Sequence, residues 1–177
     1  YSLVPQELLE SVINEKMSDE TIRKVFEKVD NLIGEKSVDV IIGGPPCQAY
    51  SLVGRAVKED NMDGDERNYL YKQYCKFLKR YQPKMFVFEN VPGLLTAKNG
   101  KHFANLKKYL AHVGYKLDYR ELNAKNFGVL QNRRRIIIIG WKSEYDGEYF
   151  YPQFDDVPHN FIVNDLLKDL PSIQAGD

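Results

Sequence analysis

Two spacings of apolar residues divide this chain. Residues 5–17 set Leu8, Leu9, Val12 and Ile13 at helical spacing, and residues 21–33 repeat that spacing before Gly34. Between them Ser18 offers an N-cap, Asp19 and Glu20 an acidic first turn, and Gly34 a stop. Residues 38–42 then change to a short β-branched run bounded by turn residues, which predicts a buried strand. Gly43-Gly44-Pro45-Pro46 cannot extend it, because proline lacks an N–H and fixes φ. The chain must leave the sheet there, with Cys47 presented on a stiff loop. Periodicity lapses over residues 49–65 and returns as a helix over 66–81, with Leu70, Tyr74, Phe77 and Leu78 on one face and Pro83 as its stop. Residues 84–89 read as a second buried strand that ends in Glu89-Asn90-Val91-Pro92-Gly93. A further amphipathic helix spans 100–113, with Gly114 as its cap. A strand follows over 115–124, with Leu117, Tyr119 and Leu122 assigned to one side. Arg133-Arg134-Arg135 opens a strand over 136–141 that is apolar on both faces, residues 142–160 are irregular, and 163–170 form a short helix closed by Pro171.

The order strand, helix, strand, helix, strand, strand defines an α/β fold. Its βαβ connections imply parallel pairing, and the short last link implies an antiparallel hairpin. The two parallel strands deliver Cys47 and Glu89 from their carboxyl ends, so both belong at one edge of the sheet, where open α/β sheets bind ligands. At 177 residues the chain suits one domain. Its 25 Lys plus Arg against 25 Asp plus Glu exclude nucleic-acid binding by bulk charge, though not by a local basic face. No apolar run approaches the ~20 residues of a membrane span, and no signal peptide is visible at the start. Two cysteines make neither a disulfide framework nor a zinc site, which points to a reducing cytoplasm.

Three places carry candidate chemistry. Cys47 is either a small packing residue or a nucleophile. The rigid loop before it favours the nucleophile, which must be held toward a substrate with its thiolate accessible. Glu89 reads either as a solvated strand end or as a carboxyl partly withdrawn from water and able to donate a proton near neutral pH. The arginine triplet reads either as a solvated turn or as two guanidiniums, Arg133 and Arg135, sent by strand alternation to one face. There they could bind a carbonyl, carboxylate or phosphate.

Gly-Gly-Pro-Pro-Cys-Gln after one strand, Glu-Asn-Val after the next and Gln-Asn-Arg-Arg-Arg before a third closely resemble the cytosine-5 DNA methyltransferases of bacterial type. Their pattern has Pro-Cys-Gln, Glu-Asn-Val and Gln-x-Arg-x-Arg in this order. The resemblance covers residues 38–141 and extends to Arg67-Asn68-Tyr69-Leu70-Tyr71, similar to the family's cofactor-edge helix start, and to 163–171, similar to the segment before the target-recognition domain. It implies part of a Rossmann-like methyltransferase sheet using S-adenosyl-L-methionine. It also implies methylation of carbon-5 of a flipped-out cytosine in double-stranded DNA, within restriction-modification, in the bacterial cytoplasm at the nucleoid. Under it Cys47, Glu89, Arg133 and Arg135 are catalytic. Pro46 and Leu70 contact the cofactor, Gln48, Ser51, Asn90 and Gln131 contact the substrate or fix its loops, and no metal is involved. Residues 49–65 match a loop that closes over DNA; Ser51, Arg55 and Lys58 are candidate phosphate contacts on it, of which only Ser51 is carried over from the family motif.

No Phe-x-Gly-x-Gly cofactor loop precedes Val38. The reading therefore divides the chain into a helical lead-in (1–37), a catalytic core (38–141) and a lead-out (142–177) toward a target-recognition domain. It expects the remainder of the enzyme as a flank or second chain, the 38–42 strand left as an exposed edge without it, and neither tight cofactor binding nor DNA methylation by the 177 residues alone. Alternatives are a tRNA cytosine-5 methyltransferase, against which Ala49-Tyr50-Ser51 speaks, and a non-catalytic subunit or remnant. Cys75 and the histidines read as structural.

Overall fold

The computed structural model describes residues 4–46, 70–157 and 162–171. Its centre is a four-stranded mixed sheet of β1 (Val40–Gly43), β2 (Met85–Asn90), β3 (Tyr115–Asn123) and β4 (Arg134–Lys142), in the order β1-β2-β4-β3. β1 runs parallel to β2, and β4 runs antiparallel to both β2 and β3. This is the α/β sheet expected, with a parallel pair and an antiparallel hairpin. Around it lie α1 (Gln6–Glu10), α2 (Ile22–Ile33), α3 (Leu70–Tyr81), α4 (Gly93–Thr96), α5 (Lys101–His112) and α6 (Val163–Leu167).

Side-chain alternation splits β2 and β4 between two cores. Phe86 and Phe88 of β2 and Ile136 and Ile138 of β4 point to the face covered by α3, α4 and α5, where Cys75, Leu78, Leu94, Leu106 and Leu110 are fully buried. Met85 and Val87 share the other face with Ile137, Ile139 and Trp141, closed by Tyr149 and Tyr151. Burying a Leu or Phe side chain contributes about 1.5–3 kcal/mol, so the helix-covered face carries most of the packing energy. Glu89 and Arg135 belong by parity to the smaller-core face, one residue past each strand's apolar run.

Several expectations need correction. The helix over 5–17 is only the single turn α1, with every residue exposed, because no described residue buries its apolar stripe. Thr21, not Ser18, occupies the N-cap of α2; Ser18 instead bonds to Thr21 and Glu20 in the preceding turn. β1 lies at the edge of the described sheet, which agrees with the exposed edge expected for 38–42 and corrects the buried strand: Ile41 packs on the main core while Ile42 is 77% exposed. In β3, Leu117 and Tyr119 face the helices, but Leu122 has the opposite parity and pairs with Arg135. Residues 93–96 form α4, which the sequence reading passed over. The predicted helix over 66–81 is seen from Leu70, and residues 49–65 lie outside the described part.

Candidate active site

The site forms where β1 and β2 end together. β1 gives way to Gly44, Pro45 and Pro46, which lack strand pairing. β2 ends in Glu89 and Asn90, whose side chains leave on opposite faces. Asn90 is only 4% exposed. Its Nδ2 donates to the Pro45 carbonyl at 3.2 Å, and its Oδ1 accepts the Val91 backbone N–H at 3.0 Å. A single buried amide thus ties the proline loop to the turn after β2, which satisfies two backbone groups that the sheet leaves unpaired.

Glu89 lies against the same loop from the other side. Its Oε1 forms an ion pair with Arg135, 2.7 Å from Nε, with side-chain exposures of 40% for the acid and 25% for the arginine. The two are diagonal neighbours across the β2–β4 ladder, since Glu89 is opposite Ile137. Nη1 of Arg135 also donates to the Arg134 carbonyl at 2.8 Å. One of its five N–H groups is thereby hydrogen-bonded among the described residues and Nε faces the Glu89 carboxylate, which leaves donors for a ligand. Arg134 leaves on the opposite face and pairs with Glu121.

Arg133 and Gln131 do not join this pair. Both are exposed in the turn before β4, which starts at Arg134, so strand alternation does not extend to Arg133. Their backbones hold the turn: Arg133 N–H donates to the Gln131 carbonyl at 2.9 Å, and Gln131 N–H to the Val129 carbonyl at 2.8 Å. Cys47, Gln48 and Ser51 lie outside the described residues, as do Arg55 and Lys58. The other cysteine, Cys75, is buried inside α3, and burial pushes its thiol up to about 12, so it stays protonated and inert.

Beside β1 a cavity of about 790 Å³ opens, in the size range of small-molecule sites. The β1 end and its loop through Pro46 form one wall, α3 from Leu70 to Phe77 another, and residues 16–20 a third. Pro46 and Leu70, the two assigned to the cofactor, therefore border one space. So does Gln73, which sequence reading missed although it lies one turn beyond Leu70. Its Nε2 donates to Asp19, and its buried Oε1 has no hydrogen-bond partner among the described residues. Walls that mix apolar residues of β1 and α3 with charged residues of 16–20, and a buried acceptor open toward them, suit a molecule with both apolar and N–H- or O–H-bearing parts.

Tyr74 was also read only as an apolar face residue. Its hydroxyl contacts the carbonyls of Ile41 on β1 and Val87 on β2, both at 3.0 Å, and spans the two strands just before their functional ends. Burial raises its phenol well above the usual range, so it remains a donor.

Two parallel strands that end in a proline loop and an acid, with an arginine from antiparallel β4 on that acid and a ligand-sized cavity beside β1, define an α/β domain of the enzyme type that binds ligands at the carboxyl edge of its sheet. The chain belongs to the C-5 cytosine-specific DNA methylase family, whose profile matches residues 6–174. Among its relatives, the type II methyltransferase M.Bpa9945I of Bacillus paralicheniformis is 41% identical over 152 residues, which are 78% of this chain and 33% of that protein. M1.HphI of Haemophilus parahaemolyticus, also a type II methyltransferase, is 40% identical over 151 residues, 84% of this chain and 39% of its own length. A crystal structure described as a prophage-encoded DNA modification methyltransferase from E. coli matches with a TM-score of 0.58 at 28% identity, over 89% of this chain and 40% of that one. The chain thus spans between a third and two-fifths of the length of these curated relatives.

Proposed function

We propose that this chain carries the catalytic core of a restriction-modification methyltransferase that places a methyl group on carbon-5 of cytosine in double-stranded DNA. The observation that carries the reading is the Glu89–Arg135 pair at 2.7 Å, set against the loop that leads into Cys47. A pyrimidine held there meets a carboxyl for its N3 and amino edge and guanidinium donors for its O2.

Cytosine carbon-5 is a poor nucleophile, and inside a duplex it is out of reach, so the base must be flipped into the site. The Cys47 thiolate adds to carbon-6, and the carbon-5 to carbon-6 double bond opens toward the ring nitrogen. Glu89 holds N3 and the exocyclic amine and carries a proton to N3 as charge gathers there. Arg135 binds O2 with the donors that Glu89 and the Arg134 carbonyl leave over, which withdraws electrons from the ring. Once carbon-5 is substituted, loss of its proton restores the double bond and breaks the bond from sulfur to carbon-6, which returns the thiolate. S-Adenosylmethionine, when bound, supplies the electrophilic methyl group. Pro46 and Leu70 would hold it in the cavity, with Gln73 as a polar anchor. Asn90 keeps the proline loop in place, Gln131 and Arg133 support the base-binding arginine from their turn, and Gln48 and Ser51 contact the DNA.

The test is methyl transfer by the full-length protein from labelled S-adenosylmethionine to duplex DNA, followed by nucleoside mass spectrometry. The expected product is 5-methylcytosine, lost by at least about 100-fold in Cys47→Ser and Glu89→Gln. Label on the exocyclic nitrogen of cytosine, on adenine, or on tRNA in place of DNA contradicts the proposal.

A further inference from the structure

Gly44 is a glycine that its own backbone does not require. Its φ lies outside the left-handed region, so an alanine fits the main chain without strain. What demands glycine is the space above it. A Cβ built on Gly44 would lie 2.8 Å from Oε2 of Glu89 and 3.6 Å from the Glu89 carbonyl oxygen. The close atom is the free end of a flexible side chain, so the fold can accept an added methyl group by swinging the carboxylate aside. That swing has a consequence at the site, because the other carboxylate oxygen is held by Arg135 at 2.7 Å.

The neighbouring Gly43 shows the contrasting case. A Cβ there would meet the Tyr74 ring at 2.7 Å. That ring is buried, and its hydroxyl is anchored on two strands, so it has nowhere to go. The two glycines make close approaches of different kinds: a methyl group at Gly43 strains the core, and one at Gly44 displaces an acid.

The geometry points to Gly44 as a positioning residue for Glu89: its bare backbone is the floor on which the carboxylate rests while Arg135 holds it from the ladder side. The inference rests on the methyl-transfer reading of the site and adds to it the element that sets where the acid stands over Gly44 at the end of β1. Displacement of a reacting group by about 1 Å can cost about 100-fold in rate without loss of binding.

The experiment is a double-mutant cycle in the full-length protein with Gly44→Ala, Glu89→Gln and the combined variant. It measures kcat and KM for methyl transfer to duplex DNA, and the melting temperature of each variant. Gly44→Ala is expected to lower kcat about 100-fold with KM for S-adenosylmethionine and the melting temperature unchanged. In the Glu89→Gln background it is expected to lower kcat no further, since it acts through the acid already removed. Wild-type kcat in Gly44→Ala, an equal loss in both backgrounds, or a loss accompanied by a lower melting temperature overturns the inference. An active wild type with an equally active Gly44→Ala sinks this inference alone, whereas a wild type that transfers no methyl group to cytosine overturns the functional reading and the inference with it.

Discussion

Tyr74 does at residue scale what the sheet alone does not. Among the described residues β1 is an edge strand paired only to β2, and the phenol of Tyr74 reaches through the helix–sheet interface to carbonyls of both. The ring fits because Gly43 has no side chain, and it stacks edge-on to Phe88 at 5.1 Å between centroids. Removing the hydroxyl while keeping the ring isolates the strand-bridging bonds. Tyr74→Phe is expected to destabilise the fold by about 1 kcal/mol, read as a lower urea midpoint at constant slope. An unchanged midpoint would show that the hydroxyl does not hold β1 to β2. From sequence, Tyr74 was legible as a core-facing position by its helical spacing, but its hydroxyl's role was not, because the partners are backbone carbonyls that leave no trace in residue type. Glu89 and Arg135 were legible as chemistry by their types at strand ends. Their mutual contact needed the β2–β4 register, which fixes Glu89 opposite Ile137.

At the scale of elements, periodicity recovered α2, α3, α5 and all four strands, and failed where no neighbour rewards the pattern. The stripe of Leu8, Leu9 and Val12 is helical in spacing, yet those side chains remain exposed or half-exposed and the helix stops after one turn. What holds the segment after it is electrostatic. Glu15 bridges Lys24 and Lys28 on α2, and hydrogen bonds from Lys24 first and Lys28 second lower its pKa from 4.5 to about 2. The folded-state value is the depressed one. The bridge therefore contributes in full above about pH 4.5 and is lost as the pH falls through about 2. Amide exchange of residues 12–17 is expected to quicken relative to that of α3 across that window, and Glu15→Gln is expected to show the faster exchange already at neutral pH. Equal protection of the segment in the variant and the wild type at pH 7 would remove the bridge from the account. The antiparallel β3–β4 hairpin was predicted from its short link, whereas the wrong side given to Leu122 came from ignoring parity between residues 119 and 122.

For the whole molecule, the parallel β1–β2 pair brings Pro46 and Glu89, 43 residues apart in sequence, to one edge of the sheet, and β4 returns Arg135 to the same place. The parallel β1–β2 pair and the β3–β4 hairpin were legible from link length, but the insertion of β4 between β2 and β3, antiparallel to both, was not. The cavity was not, because its walls come from residues 16–20, the β1 loop and α3, three segments whose closeness no local pattern encodes. The family's motif spacing supplied the chemistry before the fold did, and the fold added which arginine meets the acid. It is Arg135, while Arg133 stays in the turn. The central claim is that Cys47 attacks carbon-6 of a cytosine positioned by Glu89 and Arg135. A duplex carrying 5-fluorocytosine tests it directly, because fluorine cannot leave as a proton does and the bond from sulfur to carbon-6 cannot be released. With the full-length protein and S-adenosylmethionine, the account predicts a stable protein–DNA adduct whose cross-linked peptide maps to Cys47. No adduct from a protein that methylates the unmodified duplex, or an adduct at any other residue, would contradict it.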